Sequence, residues 1–413
     1  MNDLQTAFNA EIGKLPGILL RDLLAKKLTE GGADYDAGLI ERLIEHLHKS
    51  DDERFEYDND GPDILLDITF GEKDISSIEQ ATADFIENLP NLIQDISESS
   101  AKAMLRRFKQ DWSDFRPHEN LQFNQFRENL RGRWGKAIDL SRMLLHVSID
   151  TGEAFQRRLS RSKAKKNRAL ESVLCRLHLR SCQVMSEIIC LLENGYADGA
   201  MARWRTLYEL SALATVISEG GDDLAERYAA HDAVEAKREL DVFIKHHEEL
   251  GYAPPTKQAV KHTDQMFNHV ISQYGKEFGK PHGWAVGFLG INNSDPKFSD
   301  IEAAAGRSSM RSYYKMASYN VHASPRGLRR RIGTIDQMDL LIAGATNAGI
   351  EEPGQNAVFS LTQITCLLFR PNHELDDLVT MRGIVMLRDK AVDEFHKAAK
   401  KLKRDDRAAK RQP

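Results

Sequence analysis

Residues 170–322 carry apolar side chains at three- and four-residue spacing, the period of buried helices. Val173, Leu177, Val184, Ile188 and Leu191 define one stripe over 170–192, and Asn194-Gly195 ends it. A second helix over 197–218 stops at Gly220-Gly221. So short a connection between two apolar helices predicts an antiparallel helical hairpin. Further helices are expected over 222–249, 258–274, 308–322, 335–348 and 356–368, and from Leu375 onward. The fold class is therefore mainly α, with a helical bundle as its core.

Two polar sets interrupt this apolar pattern. Arg205 and Glu209 are four residues apart on the second helix, among Trp204, Leu207, Leu210 and Leu213. Tyr314, Ser318 and His322 are spaced by four on a later helix, with Arg311 on nearly the same side. Residues four apart share a helix face, and buried polar groups need partners. The two sets are candidates to partner each other. Arg311 and His322 lie about 16 Å apart along one helix, too far to serve one small group jointly. Arg205 with His322, joined by helix packing, is the better pair. His322 at a helix end is a candidate acid or base, with Arg205 and Glu209 beside it and Tyr314, Ser318 and Arg311 as ligand contacts. The structural alternatives are an internal Arg205–Glu209 ion pair and a histidine that caps its helix.

The net charge of −5 conceals a strong asymmetry. Residues 1–100 hold 8 Lys and Arg against 23 Asp and Glu, a net of −15, whereas residues 101–170 hold 17 against 7, a net of +10. Such blocks attract each other or a partner. The basic run Arg157, Arg158, Arg161, Lys163, Lys165 and Lys166 is a candidate nucleic-acid contact, but no aromatic residue is interleaved for base stacking. The expected domains are an acidic N-terminal domain at 1–110, a long helix and basic connector at 111–170, a helical bundle at 171–395, and a basic, disordered tail at 396–413. Within the acidic domain, short helices cover 4–50. Alternation around Phe55 and Tyr57, and again at Ile64, Leu66, Ile68 and Phe70, predicts a small β-hairpin. Asp58, Asp60 and Gly61 resemble the start of a calcium loop without its closing Glu, and are read as a turn. Helical character returns at 76–109, and a long helix over 123–148 places Trp134, Ile138, Met143, Leu144 and Val147 near one side.

The four cysteines lack any C-x-x-C spacing, so neither a disulfide framework nor a zinc site is expected. No cofactor is expected. Metalloprotease, P-loop, dinucleotide and nucleophile-elbow motifs do not occur. No signal peptide or membrane span is evident, and a cytoplasmic location is expected.

The segment 170–340 resembles a bacterial family catalogued as a domain of unknown function. Arg205-x-x-x-Glu209, Gly283-Trp284, and Tyr314-x-x-x-Ser318-x-x-x-His322 followed by Ser324-Pro325 carry that resemblance. More loosely, the chain is similar to the HEPN superfamily of small helical bundles, many of them dimeric, metal-independent ribonucleases in toxin and antiphage systems. Asn320-x-His322 carries this likeness, but no Arg stands four to six residues before His322. The expected function is an interaction or ligand-sensing module with a homodimer or another protein as partner, and nucleic acid at 101–170 from the charge pattern; the HEPN likeness implies a role in stress or antiphage defence. The alternative is an HEPN-like ribonuclease or toxin effector using His322 and Arg205.

Overall fold

The computed structural model describes residues 3–50, 52, 54–57, 65–161, 168–290, 295–329, 331–334, 342–369 and 375–410. They divide into two compact units, Met1–Pro117 and His118–Pro413.

The first unit holds α1 (Asp3–Gly13), α2 (Leu15–Glu30), α3 (Ala37–Lys49) and the beginning of α4 (Glu72–Arg161). Asp36 starts α3 by accepting the backbone N–H of Leu39 at 2.7 Å. Leu24 and Leu28 of α2 pack on Leu39, Ile40 and Leu43 of α3. The expected β-hairpin is corrected here: among the described residues there is no strand. Phe55, Tyr57, Leu66 and Ile68 instead cover the small α2–α3 core. An isolated two-stranded hairpin is marginal in water, so apolar side chains that find a helix pair need no ladder. The Asp58, Asp60 and Gly61 turn lies outside the described residues.

Helix α4 is a single run of 90 residues. Pro90 and Pro117 lie inside it, although each removes a backbone donor. The segments expected at 76–109 and 123–148 are thus parts of one element.

In the second unit the later part of α4 contributes Leu130, Trp134, Ile138, Leu144 and Phe155 to a large core. Met143, expected on the same side, is exposed. It lies nine residues from Trp134, which turns it to the opposite side of a 3.6-residue helix. Helices α5 (Arg168–Glu193) and α6 (Ala197–Ala230) pack along their length. Only residues 194–196 join them, with Gly195 at φ 77, so they form the expected antiparallel hairpin. The Gly220-Gly221 stop is a kink rather than an end: Gly221 adopts φ 67, ψ −154, which glycine tolerates, and helix resumes to Ala230. Then follow α7 (Asp232–His246), α8 (Lys257–Tyr274), α9 (Val286–Leu289), α10 (Phe298–Ala304), α11 (Arg311–Val321), α12 (Pro325–Arg329), α13 (Glu351–Leu367) and α14 (Leu375–Ala409). Helix α13 packs on α5, α6 and α14.

Two further expectations are corrected. The described part of 335–348 is not helical. There Trp134 donates its indole N–H to Asn347 Oδ1 at 2.7 Å, and Thr346 N donates to Gly195 O at 3.0 Å. Long-range hydrogen bonds replace a helical ladder in this glycine-containing stretch. The tail from 396 is helical as far as Ala409, because Ala398 and Ala399 are buried and anchor it.

One buried polar contact bears on stability. Thr365 spends its hydroxyl hydrogen on Leu361 O, so the imidazole of His178 donates from Nε2 to Thr365 Oγ1 at 3.1 Å. Gly152 of α4 leaves room for the ring, since a Cβ there would meet it at 2.8 Å. Burial lowers the His178 pKa to about 4, and the same burial raises the Cys182 thiol beside it to about 12. Both are neutral and inert at pH 7. The unfolded chain binds a proton at about 6.5, where folded His178 does not, so stability falls as pH drops through the window from 6.5 to 4. A displacement of that size corresponds to about 3 kcal/mol. In urea denaturation at successive pH values, the wild type should lose on the order of 3 kcal/mol more over this window than His178→Gln. Parallel losses in both proteins would exclude the imidazole as the source.

Candidate functional site

Helix α6 presents Arg205, Tyr208, Glu209, Ser211 and Thr215 toward α10, α11 and the turn between them. Tyr208, buried, donates to Glu302 Oε1 at 2.7 Å, and the same carboxylate accepts from Arg311 Nη1 at 3.1 Å. Arg307 is also buried and donates to Ser211 Oγ at 2.5 Å and Thr215 Oγ1 at 2.7 Å. Both hydroxyls direct their own hydrogens to helix carbonyls, Ser211 to Tyr208 O and Thr215 to Ser211 O. Their lone pairs are thereby left for the guanidinium. Among the described residues no carboxylate forms a salt bridge with Arg307. Its burial lowers its pKa from the usual arginine value.

At the edge of this buried layer lie the residues singled out from the sequence. Glu209 Oε1 accepts from the Tyr314 hydroxyl at 2.5 Å and lies 3.2 Å from Arg205 Nε. The Nε hydrogen has no aligned acceptor, so this contact is an ion pair without a linear hydrogen bond. The Arg205 guanidinium also stands over the Tyr314 ring, 4.8 Å from its centroid. Tyr314 itself stacks on Phe298. Burial first, and then the Glu209 carboxylate, push the Tyr314 phenol up to about 12. Arg205 Nη1 reaches His322 Nε2 at 3.5 Å. His322 is exposed and follows the last residue of α11 in extended conformation, φ −105, ψ 128. The helix ends there by that extended turn, three residues before Pro325, which instead opens α12.

Arg205, Glu209, Tyr314 and His322 are therefore brought together. Arg311 shares the Tyr314 ring, 5.2 Å from its centroid, and also donates to Glu302. Ser318 donates to Tyr314 O within its own helix. In the basic run, Arg157 pairs with Glu153 at 3.4 Å and Arg158 with Asp377 at 3.3 Å. Arg161 is exposed, and Lys163, Lys165 and Lys166 lie outside the described residues. Among the described residues no three metal-ligating side chains converge, and no helix is long and apolar enough to cross a membrane.

Several members of the network escaped the sequence reading. Glu302 and Arg307 lie in a stretch of weak helical pattern, and only their burial reveals them. Ser211 and Thr215 could have been found, since with Tyr208 they repeat at three and four residues on the same side of α6. His282 was also missed. It is the one described non-glycine residue with positive φ, at 54°, and its pKa is lowered by burial and by His231, with Glu209 acting in the opposite direction. Gly283 after it is forced, because a Cβ there would lie 2.4 Å from Phe278 O.

Residues 171–339 match the model of a Family of unknown function (DUF5677). The matched segment contains every residue of the network from Arg205 to His322, and the resemblance read from 170–340 is to such an uncharacterised family. No curated protein and no solved structure matches the chain. The HEPN likeness finds no support in these comparisons.

The Tyr314–Glu209 bond is half-shielded, and a hydrogen bond to a charged group contributes about 1.5–3 kcal/mol. A double-mutant cycle of Tyr314→Phe and Glu209→Gln, read by urea denaturation, should give a coupling of about 1 kcal/mol or more. A coupling indistinguishable from zero would mean that the bond does not hold α11 to α6.

Proposed function

We propose that the segment 171–339 is a ligand-sensing module whose recognition element is the Arg205–His322 pair, and that it takes a small ligand with an anionic group, phosphate or carboxylate. The observation that carries this reading is the 3.5 Å approach of Arg205 Nη1 to His322 Nε2 at an accessible edge. A guanidinium has only donors, and a protonated imidazole has only donors. An oxyanion placed across the guanidinium and an imidazole N–H accepts from both. The guanidinium is held ready for this: Glu209 engages its Nε edge and the Tyr314 ring supports its face. A pre-positioned group loses little conformational freedom on binding. Below the site, the Tyr208–Glu302–Arg307 layer ties α6 to α10 and gives a bound ligand a rigid element to act on.

The same nitrogen pair favours a second reading, acid–base cleavage of RNA, in which His322 moves the proton and Arg205 neutralises phosphate. The basic segment at 101–170 would then supply salt-sensitive RNA affinity. Recognition is preferred because Glu209 and the Tyr314 hydroxyl satisfy each other and leave one titratable imidazole at the edge, where cleavage calls for a second proton donor.

In histidine-selective NMR, inorganic phosphate or acetate should shift the His322 ring signals saturably, and Arg205→Ala should abolish that shift. Signals unmoved at tens of millimolar of either anion would reject the anion site. Cleavage of RNA by the wild type, lost in a folded His322→Ala variant, would replace it with the second reading.

A further inference from the structure

The first unit carries an apolar surface that no described residue covers. Along α4, between Glu72 and Pro117, Ile75, Ile86, Leu92, Ile93, Met104 and Leu105 are exposed, and Phe108, Trp112 and Phe115 are 57%, 50% and 52% exposed. Ile78, Phe85, Leu89 and Ile96 continue the same line, partly covered. These nine exposed chains leave on the order of 800 Å² uncovered, comparable to the ~800 Å² per partner of a stable specific interface. A patch of that size exceeds what a monomer ordinarily presents.

Charge identifies the occupant. Residues 72–98 carry one Lys against seven Asp and Glu, a net of −6, whereas residues 99–117 carry five Lys and Arg against two Asp, a net of +3. The pairs Glu98–Lys102 and Arg107–Asp111 within the helix are exposed and contribute little. A helix that is acidic along one half and basic along the other is complementary to itself only when reversed. Four apolar pairs obey the same symmetry. About a two-fold axis between Glu98 and Ser99, Ile93 faces Met104, Leu92 faces Leu105, Leu89 faces Phe108 and Phe85 faces Trp112. The register also brings Glu79 to the same edge as Arg116 of the second copy. From Ile96 the apolar face resumes eight residues on at Met104 and then advances in four-residue steps through Phe108 to Trp112. On a 3.6-residue helix this turns the face of that half around the axis.

We infer that α4 between Glu72 and Pro117 is a self-association surface, on which a second copy of this chain docks antiparallel, its acidic aliphatic half against the basic aromatic half. Parallel pairing would set like charges side by side along both halves and oppose aromatic rings to rings. An unrelated acidic or aliphatic partner would satisfy only one half.

Sedimentation of the full chain tests this directly. The wild type should run as a dimer at micromolar concentration, and Phe108→Glu with Trp112→Glu should convert it to a monomer with unchanged helical circular dichroism. Orientation is read by cross-linking with a short bismaleimide, in chains whose exposed Cys190 is replaced, Cys190→Ser. Asn88→Cys and Arg107→Cys chains, which the register places on one edge, should cross-link in mixture and neither alone. A monomeric wild type overturns the inference, whether or not it captures RNA or another protein. So does a dimer that survives the double substitution, or an Asn88→Cys chain that cross-links to itself.

Discussion

The arrangement of the second unit depends on one requirement: polar groups on α6 that face the interior must be satisfied there. Glu302 is a buried carboxylate, and Arg307 a buried guanidinium, and neither survives burial without donors and acceptors placed around it. Tyr208 and Arg311 supply the carboxylate; Ser211 and Thr215 supply the guanidinium. Because these partners come from α6 and α11 as well as α10, the three elements can meet in few ways. Apolar packing among Trp204, Tyr208, Phe298 and Tyr314 supplies the stabilisation. The polar network selects among the packings that would be similarly apolar.

The accessible edge follows from that buried layer. Once Tyr208 fixes α10, and Tyr314 is stacked on Phe298, the Tyr314 hydroxyl reaches Glu209, and Arg205 is left with one free edge toward the end of α11. The helix ends at His322 in extended conformation, and its imidazole meets Arg205 Nη1.

Part of this was legible in the chain. The four-residue spacing of Arg205 with Glu209, and of Tyr314 with Ser318 and His322, places each set on one helix face, because that spacing is a property of a single helix. Glu302 and Arg307 were not legible. Their significance lies in what surrounds them, and a short helix with weak periodicity gives no sign of its burial. Ser318 has the spacing of the site, and its hydroxyl donates to the carbonyl four residues back. The hairpin expected near Phe55 failed for a related reason. Alternation signals one buried face, and an adjacent helix pair can bury that face as well as a strand partner can.

The sequence alone determined the helical class, the α5–α6 hairpin, the faces on which the charged and aromatic residues stand, and the opposite charges of the two halves of the α4 segment. All are set by neighbours within a few turns, where helix geometry leaves little freedom. Only the tertiary structure decided that Arg205 meets His322 across 117 positions, that Glu302 is sealed inside, and that the stretch around Asn347 gives up helical form to bond with Trp134. Those outcomes depend on which surfaces exclude water together, and that is decided by packing between segments far apart in the chain.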